Sequence, residues 1–390
     1  MQAKIVLKRG KEQPILQHHH WIYSGAIQKL PEEETKGQLV PVFSSTGQKL
    51  GIAAYNPNRS IAAHMLAYGE EALEDALRKK IREAVALRKQ WFDPQQTDAV
   101  RLINAEGDGI PGLIVDSYAN YLVMQISHPA LVPLQPFLQG CLVEEVNPLG
   151  IYEKSTSFLR KREGLDEVRV HHYGEKCANP VIKENGMRFA VDLEQGQKTG
   201  WFLDQRDTRA LVRSLAKGRR VLNVFSYTGG FSVAALLGGA ASVASVEISA
   251  KCQPLLEQSL ALNELDLNQH RFVCEDAFDF LKKEPLDYDL IVLDPPAFAK
   301  GRSSVPAAFR AYKELNRMVF EKAPKGSILL SCSCSYHIEE ELFQNILFRA
   351  ALEANRSVRI LSRHRQAIDH PVSLYHPESS YLKSFLLYLE

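Results

Sequence analysis

The sequence predicts an α/β protein built on a Rossmann-like βαβ unit, with a small β-rich module before it and a central α+β segment between the two. Three observations carry that prediction. Residues 221–225 form a short apolar run with β-branched members, residues 226–230 a turn with paired glycines, and residues 231–237 have helical spacing; a second strand at 241–246 then closes on Glu247. Residues 288–293 form an uninterrupted strand that stops at Asp294-Pro295-Pro296, where two prolines cannot continue a ladder. Short strand patterns broken by Gly, Pro and Asn fill residues 1–68.

Length and composition bound the rest. A chain of 390 residues predicts two or three domains, which we place at 1–69, 70–190 and 191–390. Hydrophobic content of 45% and charged content of 24% are ordinary for a globular protein. No apolar run approaches the ~20 residues of a membrane span, and the first residues lack a signal-peptide core. Cys141, Cys177, Cys252, Cys274, Cys332 and Cys334 are scattered without a disulfide or zinc framework. The expectations are a cytoplasmic protein with no membrane contact and no metal; the oligomeric state stays open, a homodimer included. Net charge is only +1, so a nucleic-acid surface must be a local patch.

Residues 1–69 offer one such patch: eight Lys/Arg stand against four acids, namely Glu12 and Glu32, Glu33 and Glu34. His18, His19 and His20 sit beside Trp21 and Tyr23. Cations interleaved with aromatics suit RNA, whose phosphates bind charge and whose splayed bases stack. A solvated face over a small core explains the same residues, and so does a histidine metal site, although no cysteine or carboxylate accompanies the run. Residues 70–92 are a helix on the four-residue spacing of Leu73, Leu77, Ile81 and Val85, its basic face read as solvated. Strands and hairpins follow to residue 191, with a helical stretch at 130–145. Lys154, Arg160, Lys161 and Arg162 form a second candidate RNA-facing patch.

The ligand of the glycine turn is read from what it lacks. A dinucleotide fingerprint needs glycine where Ser226 stands, and this turn carries Tyr227. That favours a nucleoside without phosphates, such as the adenosine of S-adenosylmethionine. Glu247 would bind the ribose diol, and Asp276, after a third strand, either the adenine amine or simply the cap of the next helix. The loop 196–206 comes just before the βαβ unit, with Lys198, Gln205 and Arg206 placed to reach the carboxyl end of the sheet. The Asp-Pro-Pro turn aims Asp294 and Phe298 at the same crevice. In residues 327–337, strand alternation puts Cys332 and Cys334 on one face with Ser333 opposite. Either thiol is a candidate nucleophile; a packed core cysteine and a two-cysteine metal clip are the other readings.

Taken together, the glycine turn with Glu247, the 196–206 loop, Asp294 to Phe298 and Ser331 to His337 resemble the RlmI-type methyltransferases. The run His20-Trp21-Ile22-Tyr23-Ser24-Gly25, Glu106 to Leu113, and Tyr375 to Lys383 are similar to that family as well. The resemblance implies a PUA domain, an EEHEAD-like central domain and a class I methyltransferase domain. It also implies methyl transfer from S-adenosylmethionine to carbon-5 of one cytosine in 23S ribosomal RNA. Asn223, Phe225, Ser226, Tyr227, Thr228, Gly229, Gly230, Glu247, Asp276, Asp294, Gln205 and Arg206 would hold the methyl donor. Lys198, Pro295, Pro296, Phe298, Arg160 and Arg162 would meet the RNA. In related cytosine carbon-5 enzymes the nucleophile precedes a serine and, a little later, a Glu-Glu pair. Cys334-Ser335 with Glu339-Glu340 fits that pattern and Cys332 does not. Methylation of an exocyclic amine, which needs no cysteine, and a non-catalytic RNA-binding assembly factor are the alternatives.

Overall fold

The computed structural model describes residues 3–29, 37–57 and 59–390. Lys36 and the acids Glu32, Glu33 and Glu34 of the N-terminal charge balance lie outside them. The chain forms two compact units. The first comprises Met1–Pro180, Val191–Leu203 and Ile368–Ser379; the second comprises Val181–Ala190, Asp204–Ala367 and Ser380–Glu390.

The first unit carries two sheets. A six-stranded sheet runs in the order Trp21–Tyr23, Ile61–Tyr68, Lys49–Tyr55, Gln38–Phe43, Ile5–Leu7, Ile27–Lys29. Alternation along Gln38–Phe43 buries Val40 and Val42 against Ile5, Leu7, Ala53 and Met65. The second sheet, Val168–Gly174, Gly150–Ser155, Tyr121–Ile126, Leu113–Tyr118 and Ala99–Asn104, shares a core with the helices Leu73–Trp91 and Gln135–Val146. The long helix buries the expected Leu73, Leu77, Ile81 and Val85. Its basic residues are not all solvated. Arg88 is buried and donates both terminal nitrogens to Asp108 at 2.6 and 2.7 Å. Lys80 donates to the Leu66 and Gly109 carbonyls, and its burial pulls its pKa down to about 8.

The second unit is a seven-stranded sheet. Its strands are β1 (Arg220–Val224), β2 (Ser242–Glu247), β3 (His270–Cys274), β4 (Leu290–Leu293), β5 (Ile328–Ser333), β6 (Val358–His364) and β7 (Lys383–Leu389). The order is β3-β2-β1-β4-β5-β7-β6. The first five are parallel, and β7 runs antiparallel to both β5 and β6. Six helices accompany the strands: α1 (Arg206–Leu215), α2 (Gly230–Leu237), α3 (Gln253–Leu262), α4 (Ala277–Lys283), α5 (Val305–Lys322) and α6 (Glu340–Glu353). Leu222, Val224, Ile291, Leu293 and Leu329 pack with Tyr312, Leu315, Val319, Phe343 and Ile346 in one core. Such strands, covered on both faces, read as continuous apolar runs. The order of strands reverses at β1, between β2 and β4. Open α/β sheets bind ligands at such a point, outside the strand carboxyl ends.

Candidate active site at the carboxyl edge of the sheet

Register decides what meets at this edge. Val224 lies beside Val246 and beside Leu293, and Leu293 beside Ser331. The strand ends and the residues that follow them therefore converge: the turn 225–230, Glu247 at the end of β2, Asp294 and Cys334.

The turn after β1 is held in an unusual backbone shape. Phe225 and Tyr227 have φ of 63° and 48°, a region that bulky residues rarely occupy and that clusters at ligand clamps. Gly229 follows at φ 79°, and a Cβ there would stand 2.4 Å from a Leu256 methyl, so only glycine fits. Glu247 fixes the turn by accepting from the backbone N–H of Tyr227 at 2.9 Å and of Ser249 at 3.1 Å. Beneath it, Asn223 Nδ2 donates to Ser232 Oγ, which bonds Ser245 Oγ, which bonds His270 Nε2. The Asn223 amide thus supports the turn from below. Above that chain, the side-chain oxygens of Ser226 and Thr228 are buried, and neither has a hydrogen-bond partner among the described residues; Asn223 Oδ1 shares that condition. Orphaned acceptors beside a strained turn fit a polar ligand such as the methyl donor.

Asp276 caps α4, accepting from Phe278 N–H at 2.9 Å and Asp279 N–H at 3.2 Å, both through Oδ1. Gln205 is buried and donates to Asp294 Oδ1 at 2.9 Å, while Thr208 Oγ1 donates to Gln205 Oε1 at 2.5 Å. Thr208, Gln205 and Asp294 thereby form one oriented chain. Arg206 is buried 3.9 Å from Glu184, whose carboxylate also takes both nitrogens of Arg209 at 2.6 Å. That ion pair ties α1 to the hairpin Val181–Glu184/Met187–Ala190.

The two cysteines occupy different places. Cys332 lies inside β5, fully buried opposite Ser384. Burial, and next the charge of Asp294, push its thiol pKa well up. Cys334 stands one residue past the strand, so the expected shared face does not exist. It is half-buried, and its Sγ donates to the Pro295 carbonyl at 3.7 Å. Ser335 binds the two loops together: its Oγ accepts from Ala299 N–H and bonds Tyr312 OH at 2.9 Å. Phe298 packs 4.8 Å from the Tyr312 ring and against the core, while Pro295 is buried and Pro296 exposed. Reasoning from the sequence did not single out Lys383 or Thr208. Lys383 acts through strand pairing that no local motif reports, and Thr208 through a bond to Gln205 three residues earlier.

The candidate RNA residues of the first unit fare unevenly. Lys198 lies over the Phe202 ring at 4.3 Å. The patch at 154–162 is a correction. Arg160 is buried and donates to the Ile126 carbonyl at 2.6 Å and the Asp166 carbonyl at 2.5 Å. Lys154 donates to the Gly196 carbonyl, burial pulling its pKa to about 8. Lys161 pairs with Glu167 at 2.6 Å. A four-cation cluster concentrates repulsion, and the fold relieves it by turning two members inward onto carbonyls. Of the four, Lys161 and Arg162 keep exposed side chains.

The histidine run acquires the partner that its own sequence lacks. His19 Nε2 lies 3.3 Å from Glu378 Oε1, and His376 packs 4.4 Å from the Trp21 ring. Trp21 N–H donates to His19 Nδ1 at 3.2 Å. His19, His376 and Glu378 thereby bring three atoms able to ligate a metal within 4.8 Å of one another. Burial holds His20 and His376 neutral, at about 3 and about 4.

Comparison with known proteins identifies the family. Residues 155–372 match the family model of S-adenosylmethionine-dependent methyltransferases, and residues 5–68 match a PUA-like domain. Ribosomal RNA large subunit methyltransferase I from Yersinia pseudotuberculosis is 38% identical, with 99% of each chain covered, and the Yersinia pestis protein of that name is equally similar. A candidate methyltransferase solved with S-adenosylhomocysteine superposes with a TM-score of 0.87 at 26% identity, covering 99% of this chain and all of that one. A candidate SAM-dependent methyltransferase from Streptococcus mutans gives 0.85 at the same identity and coverage. This chain, with S-adenosylmethionine as its methyl donor, belongs to the ribosomal RNA large subunit methyltransferase I (RlmI-type) family of S-adenosylmethionine-dependent methyltransferases.

Proposed function

We propose that the chain methylates carbon-5 of a cytosine in 23S ribosomal RNA, with Cys334 as nucleophile and Asp294 beside the base. The observation that carries the reading is the contrast between the thiols. Cys334 is half-buried where β5 ends, bonded to the Asp-Pro-Pro loop, whereas Cys332 is sealed in the strand. Relatives named as large-subunit ribosomal RNA methyltransferases support the choice of RNA, and that substrate supports a cytoplasmic location. We keep residues 1–69 as an RNA-binding domain, 70–190 as a central domain and 191–390 as the catalytic domain.

Bound S-adenosylmethionine supplies an electrophilic methyl group on a sulfonium. The turn 225–230, with Ser226, Thr228 and Glu247, is the part of this chain that would hold it. Carbon-5 of cytosine is a poor nucleophile, and the protein's task is to change that. The Cys334 thiolate adds to carbon-6, and the displaced pair of the 5,6 double bond makes carbon-5 nucleophilic. Asp294, oriented by Gln205 and Thr208, would face N3 and, as the protonated acid, give a hydrogen bond to the negative charge that the addition places there. Once carbon-5 carries the methyl group, loss of its proton to a base restores the double bond and expels the thiolate. Mass mapping of ribosomal RNA from cells lacking this protein tests the proposal. One cytosine should lose a methyl group from carbon-5; a methyl missing from an exocyclic amine would move the chemistry away from Cys334.

A further inference from the structure

The seventh strand delivers one more charge to the cysteine loop. β7 runs antiparallel to β5 with Lys383 opposite Ser333, the last residue before Cys334. Lys383 is only 4% exposed. Its Nζ donates to the Ser335 carbonyl at 2.7 Å and to the Tyr381 carbonyl at 2.6 Å. Two neutral carbonyls satisfy two of the three N–H groups and leave the positive charge itself without a counter-ion. A buried ammonium in that condition is unfavourable. Among the described residues no carboxylate forms an ion pair with it. Of the ionisable groups that face it, Cys334 acts most strongly, ahead of Arg365, Glu339 and Glu340. Asp294 acts on the neighbouring Cys332, and Tyr312 OH reaches the loop through Ser335. The cysteine is thus the group whose ionised form would answer the buried cation, giving up the thiol's bond to the Pro295 carbonyl as it ionises.

We propose that Lys383 is a positioning residue that holds Cys334 as a thiolate and fixes the Ser335 carbonyl on which the cysteine loop turns. The proposal rests on the reading of Cys334 as nucleophile, because only the thiolate adds to carbon-6. It explains why a lysine, rather than an apolar residue, stands in the first position of a strand that is otherwise Ser-Phe-Leu-Leu-Tyr-Leu. It also links the two ends of the catalytic domain: the loop after β5 works only once the last strand has docked beside it. Burial lowers the lysine's own pKa to about 8, with Cys334 opposing that shift.

The test is the pH dependence of iodoacetamide alkylation of the full-length chain, read at the Cys334 peptide by mass spectrometry. In the wild-type protein Cys334 should react fully well below about pH 8.5, where a free thiol titrates. In Lys383→Gln the profile should move up by about one pH unit, a tenfold slower reaction at pH 7. Lys383→Arg, which keeps the charge, should restore most of the reactivity. A wild-type Cys334 that titrates as a free thiol or higher overturns the proposal without any variant, and so does an unchanged profile in folded Lys383→Gln. Failure of the carbon-5 reading would appear in the methylated RNA and leave these alkylation profiles as expected, so the two failures are separable.

Discussion

In the turn after β1, the chain leaves Ser226 Oγ and Thr228 Oγ1 buried without a partner and holds two bulky residues at positive φ. In the basic segment around Arg160, the opposite has happened. There Arg160 and Lys154 are buried and used up by carbonyls of the protein itself. Both stretches look functional in the sequence, one for its glycines and one for its charge. The difference teaches what marks a site. Unspent hydrogen-bonding capacity and stored backbone strain point outward to a ligand, whereas charge that the fold consumes reports on stability alone.

The largest test applies the same contrast to the two thiols. Cys334→Ala should abolish methyl transfer, because the proposed route needs its thiolate to add to carbon-6, while methyl-donor binding persists. Cys332→Ala should keep most of the activity and lose stability instead, since it empties a fully buried site in β5. A 5-fluorocytosine RNA checks the result independently. Fluorine cannot leave as a cation, so the wild-type protein should be trapped as an adduct that survives denaturing electrophoresis. Full activity in Cys334→Ala would overturn the assignment and favour exocyclic-amine chemistry.

The basic segment offers a second, smaller test. Arg160→Ala removes a buried guanidinium from two carbonyls and from Glu153, which lies 3.7 Å away. It should cost about 2–4 kcal/mol of stability by thermal or urea unfolding, with the salt dependence of RNA binding unchanged. Arg162→Ala should do the reverse: stability within error, and a salt slope shallower by about 1 if that guanidinium meets a phosphate. A shallower slope in Arg160→Ala, with stability retained, would return the segment to the RNA surface.

How much of this was legible from sequence depends on the range of the contacts. The βαβ unit, the Asp-Pro-Pro stop and the long helix at 73–91 are local patterns, and the structure keeps them within a few residues. The meeting of the turn, Asp294 and Cys334 was legible too, because parallel strands place their carboxyl ends together. Partners separated by long stretches of chain were not. Nothing near Lys383 in sequence announces that β7 will insert beside β5, and nothing near His19 announces Glu378. Local alternation also misled at Cys334, because the strand ends at Ser333 and its periodicity stops there. Phe298 was expected in the crevice, yet an aromatic after a stiff proline turn gains more by packing on Tyr312.

The smallest test separates two acids at the methyl-donor edge. Glu247 and Asp276 both accept backbone N–H groups, but they serve different elements. Glu247 uses one oxygen on Tyr227 of the turn and the other on Ser249 after β2, so its loss frees the strained loop and removes the proposed ribose acceptor together. Asp276 uses Oδ1 alone, on Phe278 and Asp279 of α4, and only Oδ2 is left for adenine. Glu247→Ala should therefore weaken S-adenosylmethionine binding by about 1–3 kcal/mol, the range for a hydrogen bond to a charged group. Asp276→Ala should cost about 1 kcal/mol of stability through the lost cap and weaken donor binding less. Calorimetry on both variants decides it. Equal losses of affinity would make Asp276 a direct adenine ligand, and an unchanged affinity in Glu247→Ala would mean that the turn holds the donor through its buried hydroxyls and backbone alone.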